Sequence, residues 1–548
     1  MKDPRPVPHA VRAAVAAILL AALALGVCTA AWGDLYNETD GQYAGAARVM
    51  AEGGSWLVPQ NNGEPRLVKP PLLYWMLASS FRVFGVNEFA ARIPNALALV
   101  AIVGAVMQIG FVRGGAAVGL RAGAILASSL GMFTLGRIIM PEPWFAAFIA
   151  WALAAVLSAK SDALRPGAAF AFWLASAGAC LVKGWHGVLY PLAILGTLAL
   201  FDPSVRSAWR SLFRPLPIAV FLALTLPWHI AMEAKFPGYF STIFGREYLG
   251  HVLGTSAPAT TYTNVPRWEF VALHVAWWFP WSLFFLAAVV RRNIPRDPLP
   301  WIWLGIVFAS VLLTGQRQDY YAMAGWPAFA LLVASAWPRR LPSVWLWSLG
   351  VGSLLLAGVA LAARSQLLTR AVGPGTTLDR ATAWTTLAHL GSTVWANLAF
   401  LAAAVLLLGG IAWCGAGFAR PRLSRFACCA VAAWIFCLGA AAGMSSLAPF
   451  FSSAALARSL VEDLPTGAVV GYEGGLDTGS ALLFYFARPV QYFDPQPAPD
   501  AAMVERCLSG QPTAVIIEAA RIPEWSNAIG KRLRIARQAG TQVLVVNW

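Results

Sequence analysis

Two carboxylates and a lysine within one polar stretch are the first residues whose types and spacing could do chemistry. Glu38 and Asp40 stand two residues apart, and Lys69 is followed by Pro70 and Pro71. Two acids this close could bind a divalent cation, share a proton, or act as a base and its support. A lysine whose backbone direction is fixed by two prolines could hold a substrate phosphate. The structural alternatives are an exposed acidic turn and a lysine at the start of an interfacial helix.

Further ionisable residues stand alone at the ends of apolar segments later in the chain. Such groups are costly near a membrane unless they are paired or solvated, so their gathering on one side predicts a polar cavity there. They include Arg137 with Glu142, Lys183 with His186, and Arg317 with Asp319. We expect Glu142 to pair with Arg137 across the turn that Pro141 bounds.

The elements that must position these residues are membrane helices. The 548 residues are 58% hydrophobic and only 12% charged, with a mean hydropathy of +0.62, whereas soluble domains carry about 25% charged residues. This composition excludes a soluble enzyme, a disordered chain and a small disulfide scaffold. The apolar stretches run near the length of a membrane-spanning helix and do not alternate strictly, which favours helices over a barrel.

Apolar windows predict thirteen spans, the first of which we interpret as an uncleaved span and not as a secretory signal. They are 13–32, 89–112, 120–137, 143–159, 167–182, 186–201, 214–232, 268–290, 299–315, 320–337, 341–363, 392–413 and 426–447. Residues 72–84 are too short to span, and they predict an interfacial or re-entrant helix.

The basic residues fall in alternate connections between these spans. Those connections contain Lys2, Arg5, Arg12, Arg113, Arg121, Lys160, Arg165, Arg206, Arg210, Arg214, Arg291, Arg292, Arg296, Arg339, Arg340, Arg420, Arg422 and Arg425. The positive-inside rule places them in the cytoplasm, so the N-terminus is predicted to be cytoplasmic and the C-terminal part to face outward. Topology therefore explains the net charge of +15, and we do not expect a nucleic-acid partner.

Residues 448–548 predict a small extracytoplasmic α/β domain, and residues 1–447 a transmembrane catalytic domain whose first outward loop is 33–88. Runs at 468–472, 482–486, 514–517 and 543–546 are strand-like, and 501–510 and 525–538 are helical in pattern. This part contains no phosphate loop and no nucleophile motif, so we expect it to support the catalytic part.

Several runs together resemble a known family. In the first loop they are Glu38–Ala44, Ala47–Met50, Gly54–Pro59, Asn62-Gly63, Lys69–Trp75 and Phe84–Pro94; later runs are Arg137 with Glu142, Leu181–Gly184, Leu226–Trp228, Arg246-Glu247, and Tyr320-Tyr321 before Trp326-Pro327. The chain resembles the polytopic glycosyltransferases of the lipid A aminoarabinose transferase and protein O-mannosyltransferase superfamily, which have the GT-C fold.

The chain departs from the family's pattern at five positions. The family has an Asp-Glu pair shortly before Arg-Tyr-Ala; here Asp40 stands where the Glu falls, Thr39 where the Asp falls, and Gln42 replaces the Arg. Val68 stands where members often have a Glu before Lys-Pro-Pro, and Glu142 where an Asp is usual. These changes leave the sugar-transfer interpretation intact and leave the sugar and the acceptor open.

The resemblance implies an inverting transfer of a sugar from a polyprenyl-phosphate carrier to a lipid, glycan or protein acceptor at the outer side of the inner membrane. For a hydroxyl acceptor it favours Asp40 as the base with Glu38 in support. The leaving phosphate of such a transfer needs a cation, for which the candidates are Lys69, Arg137, Lys183, Arg246 and Arg317. The resemblance adds Glu142, Glu247 and Tyr321 to the residues that contact phosphate or sugar. No cofactor is identified, and a divalent cation at Glu38 and Asp40 stays open. The alternatives are a non-catalytic carrier-lipid-binding relative and a lipid or sugar transporter.

Overall fold

The computed structural model describes residues 8–158, 166–253, 265–337, 343–369, 392–419 and 422–548. Some of the basic residues that orient the chain in the sequence lie outside these ranges. They are Lys2, Arg5, Lys160, Arg165, Arg339, Arg340 and Arg420.

Each of the thirteen predicted spans coincides with a helix or with a bent pair of helices. In the described ranges, seven helices are long and apolar enough to cross a membrane, and two bent pairs would raise the number to nine. The seven are His9–Ala30, Glu88–Gly114, Pro166–Lys183, Pro215–Lys235, Ser343–Thr369, Ser392–Phe418 and Arg422–Phe451. The pairs are Ala116–Ala127 with Leu130–Arg137, bent by 50°, and Arg267–Trp277 with Trp281–Val290, bent by 104°.

Four predicted spans correspond to shorter helices. They are Glu142–Leu157, His186–Phe201, Pro298–Leu313, and Trp326–Ala336 with the 3-10 turn Asp319–Gly325 before it. The polytopic helical fold is therefore confirmed, whereas the number of thirteen crossings stays a prediction.

Large apolar side chains are exposed on the outer surface of the helices. Leu313 is 79% exposed, Val344 76% and Leu355 68%. Soluble proteins avoid wide apolar surfaces of this kind, but the hydrocarbon of a membrane is a favourable environment for them. The exposure pattern therefore agrees with a multi-pass membrane protein.

One ion-pair network joins three of the connections that the charge pattern places in the cytoplasm. Arg113 Nη1 lies 2.6 Å from Asp202 Oδ2, and Arg113 Nη2 lies 2.6 Å from Asp297 Oδ1. The amphipathic helix Pro203–Leu212 begins beside this network. These three connections thus lie on one face, as the positive-inside pattern requires.

The first loop folds into two helices and a short hairpin. Helix Thr39–Ala51 is followed by β1 (Gln60–Asn61) and β2 (Glu64–Pro65), an antiparallel pair, and then by helix Leu72–Phe84. Leu73, Leu77 and Phe81 recur at four-residue spacing, and they pack into one apolar cluster with residues of helix Thr39–Ala51. The predicted helix at 72–84 is confirmed, while its place relative to the membrane stays a prediction.

The C-terminal part contains a five-stranded sheet of order β4-β3-β5-β7-β6. Its strands are β3 (Val469–Glu473), β4 (Gln491–Phe493), β5 (Thr513–Glu518), β6 (Arg534–Ala539) and β7 (Gln542–Val546). The first three are parallel to one another, and β7 pairs antiparallel with β5 and β6. Helices Ala454–Asp463, Ala481–Tyr485, Ala501–Ser509 and Ile522–Ile529 and the 3-10 turns Ala519–Arg521 and Gly530–Arg532 complete this part.

Two expectations for this part are wrong. Residues 482–486, predicted as a strand, lie in helix Ala481–Tyr485 and the residue that follows it. Phe484 and Tyr485 pack against the first loop, and Leu482 and Phe486 pack against the sheet. Of the predicted helix 525–538 only the residues up to Ile529 are α-helical; the 3-10 turn Gly530–Arg532 follows, and β6 occupies the end of the range. Short apolar runs do not distinguish strand from helix by periodicity. Helix Arg422–Phe451 runs through the predicted boundary at 447/448, and the division into two domains stays a prediction.

The C-terminal part packs directly on the first-loop helix Thr39–Ala51. A Cβ on Gly41 would lie 2.3 Å from the carbonyl carbon of Ser480, and one on Gly45 would lie 2.5 Å from Leu483 Cβ. Arg48 Nη1 donates to the Phe484 carbonyl at 2.5 Å. The two glycines thus allow an approach that any larger residue would block.

Candidate functional site

Asp40 lies in the first turn of helix Thr39–Ala51 and is 2% exposed. Its Oδ2 accepts the backbone N–H of Tyr36 at 3.0 Å, and its Oδ1 accepts that of Ile139 at 2.6 Å. The carboxylate therefore ties the first loop to the turn after helix Leu130–Arg137. Burial raises the pKa of Asp40, and the positive charge of Arg92 and the two backbone N–H groups oppose this rise.

Glu38 lies in a different environment from Asp40. Glu38 is exposed, and its φ of +66° is in the left-handed region, which costs a non-glycine residue about 1–3 kcal/mol. The C-terminal part holds this conformation, because the Glu38 N–H donates to the Asp477 carbonyl at 2.7 Å and Ser480 Oγ donates to the Glu38 carbonyl at 3.0 Å. One carboxylate is thus buried and the other is at the surface.

Five of the predicted site residues come together at two neighbouring ion pairs. Lys69 Nζ lies 3.5 Å from Glu247 Oε2, and Lys183 Nζ lies 2.9 Å from Glu142 Oε1. Lys183 Nζ also lies 4.8 Å from the centre of the Tyr321 ring, a cation–π distance. We call these five residues the charged cluster.

Three members of the charged cluster stand at or just before the end of a helix. Lys69 precedes helix Leu72–Phe84, Glu142 begins helix Glu142–Leu157, and Lys183 ends helix Pro166–Lys183. An acid at the N-terminus of a helix and a cation at its C-terminus both interact favourably with the helix dipole. Glu247 lies in the π-helix Ser241–Leu249, which continues into helix Gly250–Leu253; π-helices are frequent at functional sites.

The electrostatics of the charged cluster suit an anionic ligand. Burial lowers the pKa of Lys69; Glu247 opposes this, while the positive charges of Arg66 and Lys183 lower the pKa further. An anion placed beside Lys69 would relieve that repulsion and favour its charged form. The second carboxylate oxygen of Glu142 is buried and accepts no hydrogen bond from any group in the described ranges, so it could accept a hydroxyl.

Arg137 lies outside the charged cluster, and its expected ion pair with Glu142 is wrong. Arg137 donates to the carbonyl oxygens of Thr29 at 2.5 Å and Trp32 at 2.9 Å. Both belong to the end of helix His9–Ala30 or follow it, where unsatisfied carbonyls attract a cation. Glu142 pairs with Lys183 instead, because the packing of the helices brings that lysine closer than the local turn brings Arg137.

Arg317 and Arg246 are also separate from the two ion pairs of the charged cluster. Arg317 is 5% exposed and donates to the carbonyl oxygens of Thr314 at 2.5 Å and Val265 at 3.2 Å, so it joins its own loop to the segment before helix Arg267–Trp277. Arg246 is exposed on the π-helix next to Glu247. These observations assign neither arginine to a phosphate, and that role stays a prediction.

Sequence reasoning missed a group of residues beside Lys69. Arg66 Nε donates to the Tyr74 hydroxyl at 2.9 Å, and Arg66 Nη1 donates to Gln42 Oε1 at 2.5 Å. The guanidinium also lies 5.2 Å from the centre of the Tyr43 ring. The only local signal was the distance of three residues from Lys69, which is too common to select an arginine.

The residues present do not define a metal site. In the parts of the chain that the structure describes, no three His, Cys, Asp or Glu side chains are grouped closely enough to hold a metal ion. Asp40 already accepts two backbone N–H groups, and Glu38 lies at the surface. A divalent cation at this pair therefore stays an untested prediction.

Comparisons with known proteins place the chain among membrane glycosyltransferases. Residues 13–242 match the family model described as dolichyl-phosphate-mannose-protein mannosyltransferase. The chain is 28% identical over 419 residues to the undecaprenyl phosphate-alpha-4-amino-4-deoxy-L-arabinose arabinosyl transferase of Pseudomonas aeruginosa, covering 73% of this chain and 70% of that protein. It is 25% identical over 360 residues to an uncharacterized protein of Aquifex aeolicus, covering 63% of this chain and 68% of that protein.

The fold agrees with a solved structure over nearly its whole length. The crystal structure of ArnT from Cupriavidus metallidurans bound to undecaprenyl phosphate superposes with a TM-score of 0.80 at 20% identity, over 97% of this chain and 98% of that one. The expected GT-C fold is confirmed. The expected class, a membrane glycosyltransferase of the type that depends on polyprenyl phosphate, is confirmed by the relatives together with this fold.

Proposed function

We propose that this protein transfers a pentose or hexose from a polyprenyl-phosphate carrier to a lipid, glycan or protein acceptor, and that the charged cluster is where the donor phosphate binds. One observation carries this proposal. Lys69 and Lys183 are 114 positions apart in the sequence, yet they lie in two neighbouring ion pairs. The cluster adjoins the first loop, which carries the family-like run of residues. The Pseudomonas aeruginosa relative is named for an undecaprenyl phosphate donor, which agrees with this choice of carrier.

The reaction requires charge compensation at the leaving phosphate. The acceptor attacks the anomeric carbon, the bond between that carbon and the phosphate oxygen breaks, and the electron pair remains on the phosphate. Lys69 and Lys183 would then exchange their carboxylate partners for phosphate oxygens. Fixed cations of this kind stabilise charge that develops in a transition state. Attack opposite the leaving group gives an inverted anomeric configuration.

Glu142 is our choice for the carboxylate that meets the acceptor or the sugar. Its second oxygen is unoccupied in the described ranges, whereas both oxygens of Asp40 already accept backbone N–H groups. The raised pKa of Asp40 would suit a base, so the sequence-based choice of Asp40 stays open to test. With Glu142 as the contact, Asp40 is a positioning residue that fixes helix Thr39–Ala51.

The two carboxylates can be separated by substitution. We expect Glu142→Gln to lower kcat for a hydroxyl acceptor by about 10²- to 10⁴-fold, as for loss of a general base. It should also lower thermal stability, because Lys183 loses its charged partner and keeps only an amide oxygen as acceptor. We expect Asp40→Asn to lower stability and activity together, because an amide leaves one buried N–H without an acceptor. Full activity in Glu142→Gln, with loss of activity but normal stability in Asp40→Asn, would restore Asp40 as the base.

The orientation follows from the charge pattern. With the network of Arg113, Asp202 and Asp297 in the cytoplasm, the first loop, the charged cluster and the C-terminal part face outward, and the N-terminus faces inward. The ion pairs of this network support a shared face for three connections. The acceptor would then be a molecule of the outer side of the inner membrane.

A transfer assay in membranes tests the proposal. Membranes containing the protein are incubated with polyprenyl-phosphate donors that carry a radiolabelled pentose or hexose, and label in acceptors is measured. Lys69→Ala and Lys183→Ala are compared with Lys235→Ala, which removes an exposed lysine from the end of helix Pro215–Lys235. We expect transfer by the intact protein and by Lys235→Ala, and a loss of at least 100-fold in the other two. Absence of transfer with every donor would favour the carrier-lipid-binding or transporter alternatives.

A further inference from the structure

Arg66 is a cation that buried neutral side chains hold beside the charged cluster. It follows the hairpin of β1 and β2, where its backbone N–H donates to the Pro59 carbonyl at 2.7 Å. Its guanidinium donates to Tyr74 and Gln42 and lies over the Tyr43 ring. Gln42 is 7% exposed, Tyr43 3% and Tyr74 0%.

The groups that hold Arg66 are themselves fixed. The rings of Tyr43 and Tyr74 are stacked with centres 5.2 Å apart and an angle of 29° between their planes. Tyr43 belongs to helix Thr39–Ala51 and Tyr74 to helix Leu72–Phe84, which pack against each other. The guanidinium is thus oriented before any ligand arrives, and orientation in advance is what makes a fixed cation effective in catalysis.

The positive charge of Arg66 lies near the charges of Lys69 and Lys183. Both Arg66 and Lys183 lower the pKa of Lys69 by repulsion. Arg66 and Lys69 lie three residues apart in the connection before helix Leu72–Phe84, and Lys183 ends helix Pro166–Lys183. Three cations from two distant parts of the chain therefore lie near one another, and Glu247 and Glu142 pair with the two lysines. A planar guanidinium adds what lysine lacks, since it can donate two parallel hydrogen bonds to phosphate oxygens.

We propose that Arg66 binds the phosphate of the carrier lipid and acts chiefly on the charge that this phosphate gains as the sugar leaves. The inference rests on the proposed function. The sugar donor is a phosphodiester with one negative charge. When the acceptor oxygen bonds to the anomeric carbon and the bond from that carbon to the phosphate oxygen breaks, the electron pair stays on the phosphate. The acceptor proton passes to a carboxylate, and the free polyprenyl phosphate is a monoester whose second pKa is about 6, so it carries close to two charges.

Arg66 should therefore discriminate between donor and product. The experiment measures the inhibition constant of undecaprenyl phosphate and the KM of the sugar donor for Arg66→Gln and Arg66→Lys. The control is Arg82→Gln, which removes a first-loop arginine whose guanidinium lies over Trp56. We expect Arg66→Gln to raise the inhibition constant at least tenfold and to lower kcat, with a change of less than threefold in KM. Arg66→Lys should be intermediate, and Arg82→Gln should match the intact protein.

A second variant covers the case in which Arg66→Gln does not fold. Tyr74→Phe removes only the hydroxyl that accepts from Arg66 Nε, and it should raise the inhibition constant of undecaprenyl phosphate severalfold with KM nearly unchanged. Sugar transfer by the intact protein with an unchanged inhibition constant in the Arg66 and Tyr74 variants would overturn this inference alone. If the intact protein neither transfers sugar nor binds undecaprenyl phosphate, the proposed function is overturned, and this inference with it.

Discussion

The contact between helix Thr39–Ala51 and the C-terminal part can be perturbed by a single methyl group. In Gly41→Ala the new Cβ would lie 2.3 Å from the Ser480 carbonyl carbon, 2.4 Å from its oxygen and 2.5 Å from the Ala481 nitrogen. All three are backbone atoms, so no side-chain rotation relieves the overlap. Ordinary contact begins at 3.4 Å, and the two segments must therefore separate by about 1 Å.

This displacement affects function because the helix carries Asp40, Gln42 and Tyr43. Overpacking of this kind costs about 1–3 kcal/mol, against which alanine recovers about 1 kcal/mol of helix propensity. A misplacement of about 1 Å in a reacting site can cost about 10²-fold in rate. We therefore expect the free energy of unfolding of Gly41→Ala to fall by no more than about 2 kcal/mol, while kcat falls about 10- to 100-fold.

Sugar transfer and thermal unfolding are measured on the same detergent-solubilised samples. Gly45→Ala should have a similar effect, because its Cβ would lie 2.5 Å from Leu483 Cβ, which is bonded to the backbone and cannot rotate away. Gly305→Ala is the matched control, since it lies in helix Pro298–Leu313 with nothing within 4 Å of the added Cβ. Equal kcat in Gly41→Ala and Gly305→Ala would refute the argument that the C-terminal part positions the first-loop helix.

Three other predictions concern charge. Because burial lowers the pKa of Lys69, donor binding should weaken as the pH rises through that lowered value. Lys69→Arg stays charged, so it should move the alkaline limb of the kcat/KM profile to higher pH. An unmoved limb would assign that titration to another group. Arg92 donates to the carbonyl oxygens of Ala30, Trp32, Gly33 and Asp34, and each buried carbonyl left unpaired costs about 1–3 kcal/mol. Arg92→Gln should therefore lower the midpoint of thermal unfolding. An unchanged midpoint would contradict this structural role. Asp297→Asn breaks a pair with Arg113 on the opposite face, so it should lower stability without changing the KM of the donor, and a raised KM would contradict the separation of the two faces.

The helical fold could be predicted because membrane helices are long and uniformly apolar. Helix Leu72–Phe84 matched its predicted range, since a four-residue repeat of apolar side chains is a local signal. The run at 482–486 could not be assigned in this way, because its partner is helix Thr39–Ala51, more than 400 residues earlier in the chain. Tertiary packing decided between strand and helix there.

The candidate site was predictable by residue type but not by pairing. Lys69, Glu142, Lys183, Glu247 and Tyr321 were all named from the sequence, and the structure brings them together. Their partners depend on which helix ends meet, and local spacing carries no information about that.

Arg137 and Arg66 both show that local spacing does not predict the partner of a side chain. The separation of five positions between Arg137 and Glu142 suggested a pair, yet Arg137 donates to a carbonyl at the end of helix His9–Ala30. Arg66 had no local signal, because Gln42 and Tyr74, which hold it, come from different helices. Contacts between distant segments decided both outcomes.

The most direct test of sugar transfer from the carrier lipid uses the purified protein in liposomes with one polyprenyl-phosphate sugar and its acceptor. Mass spectrometry measures the polyprenyl phosphate released and the sugar gained by the acceptor over the same time course. We predict one polyprenyl phosphate for each sugar transferred, an inverted anomeric carbon in the product, and loss of both products in Lys69→Ala. Movement of the intact sugar lipid across the bilayer, with no release of polyprenyl phosphate, would contradict the proposed reaction and indicate a transporter.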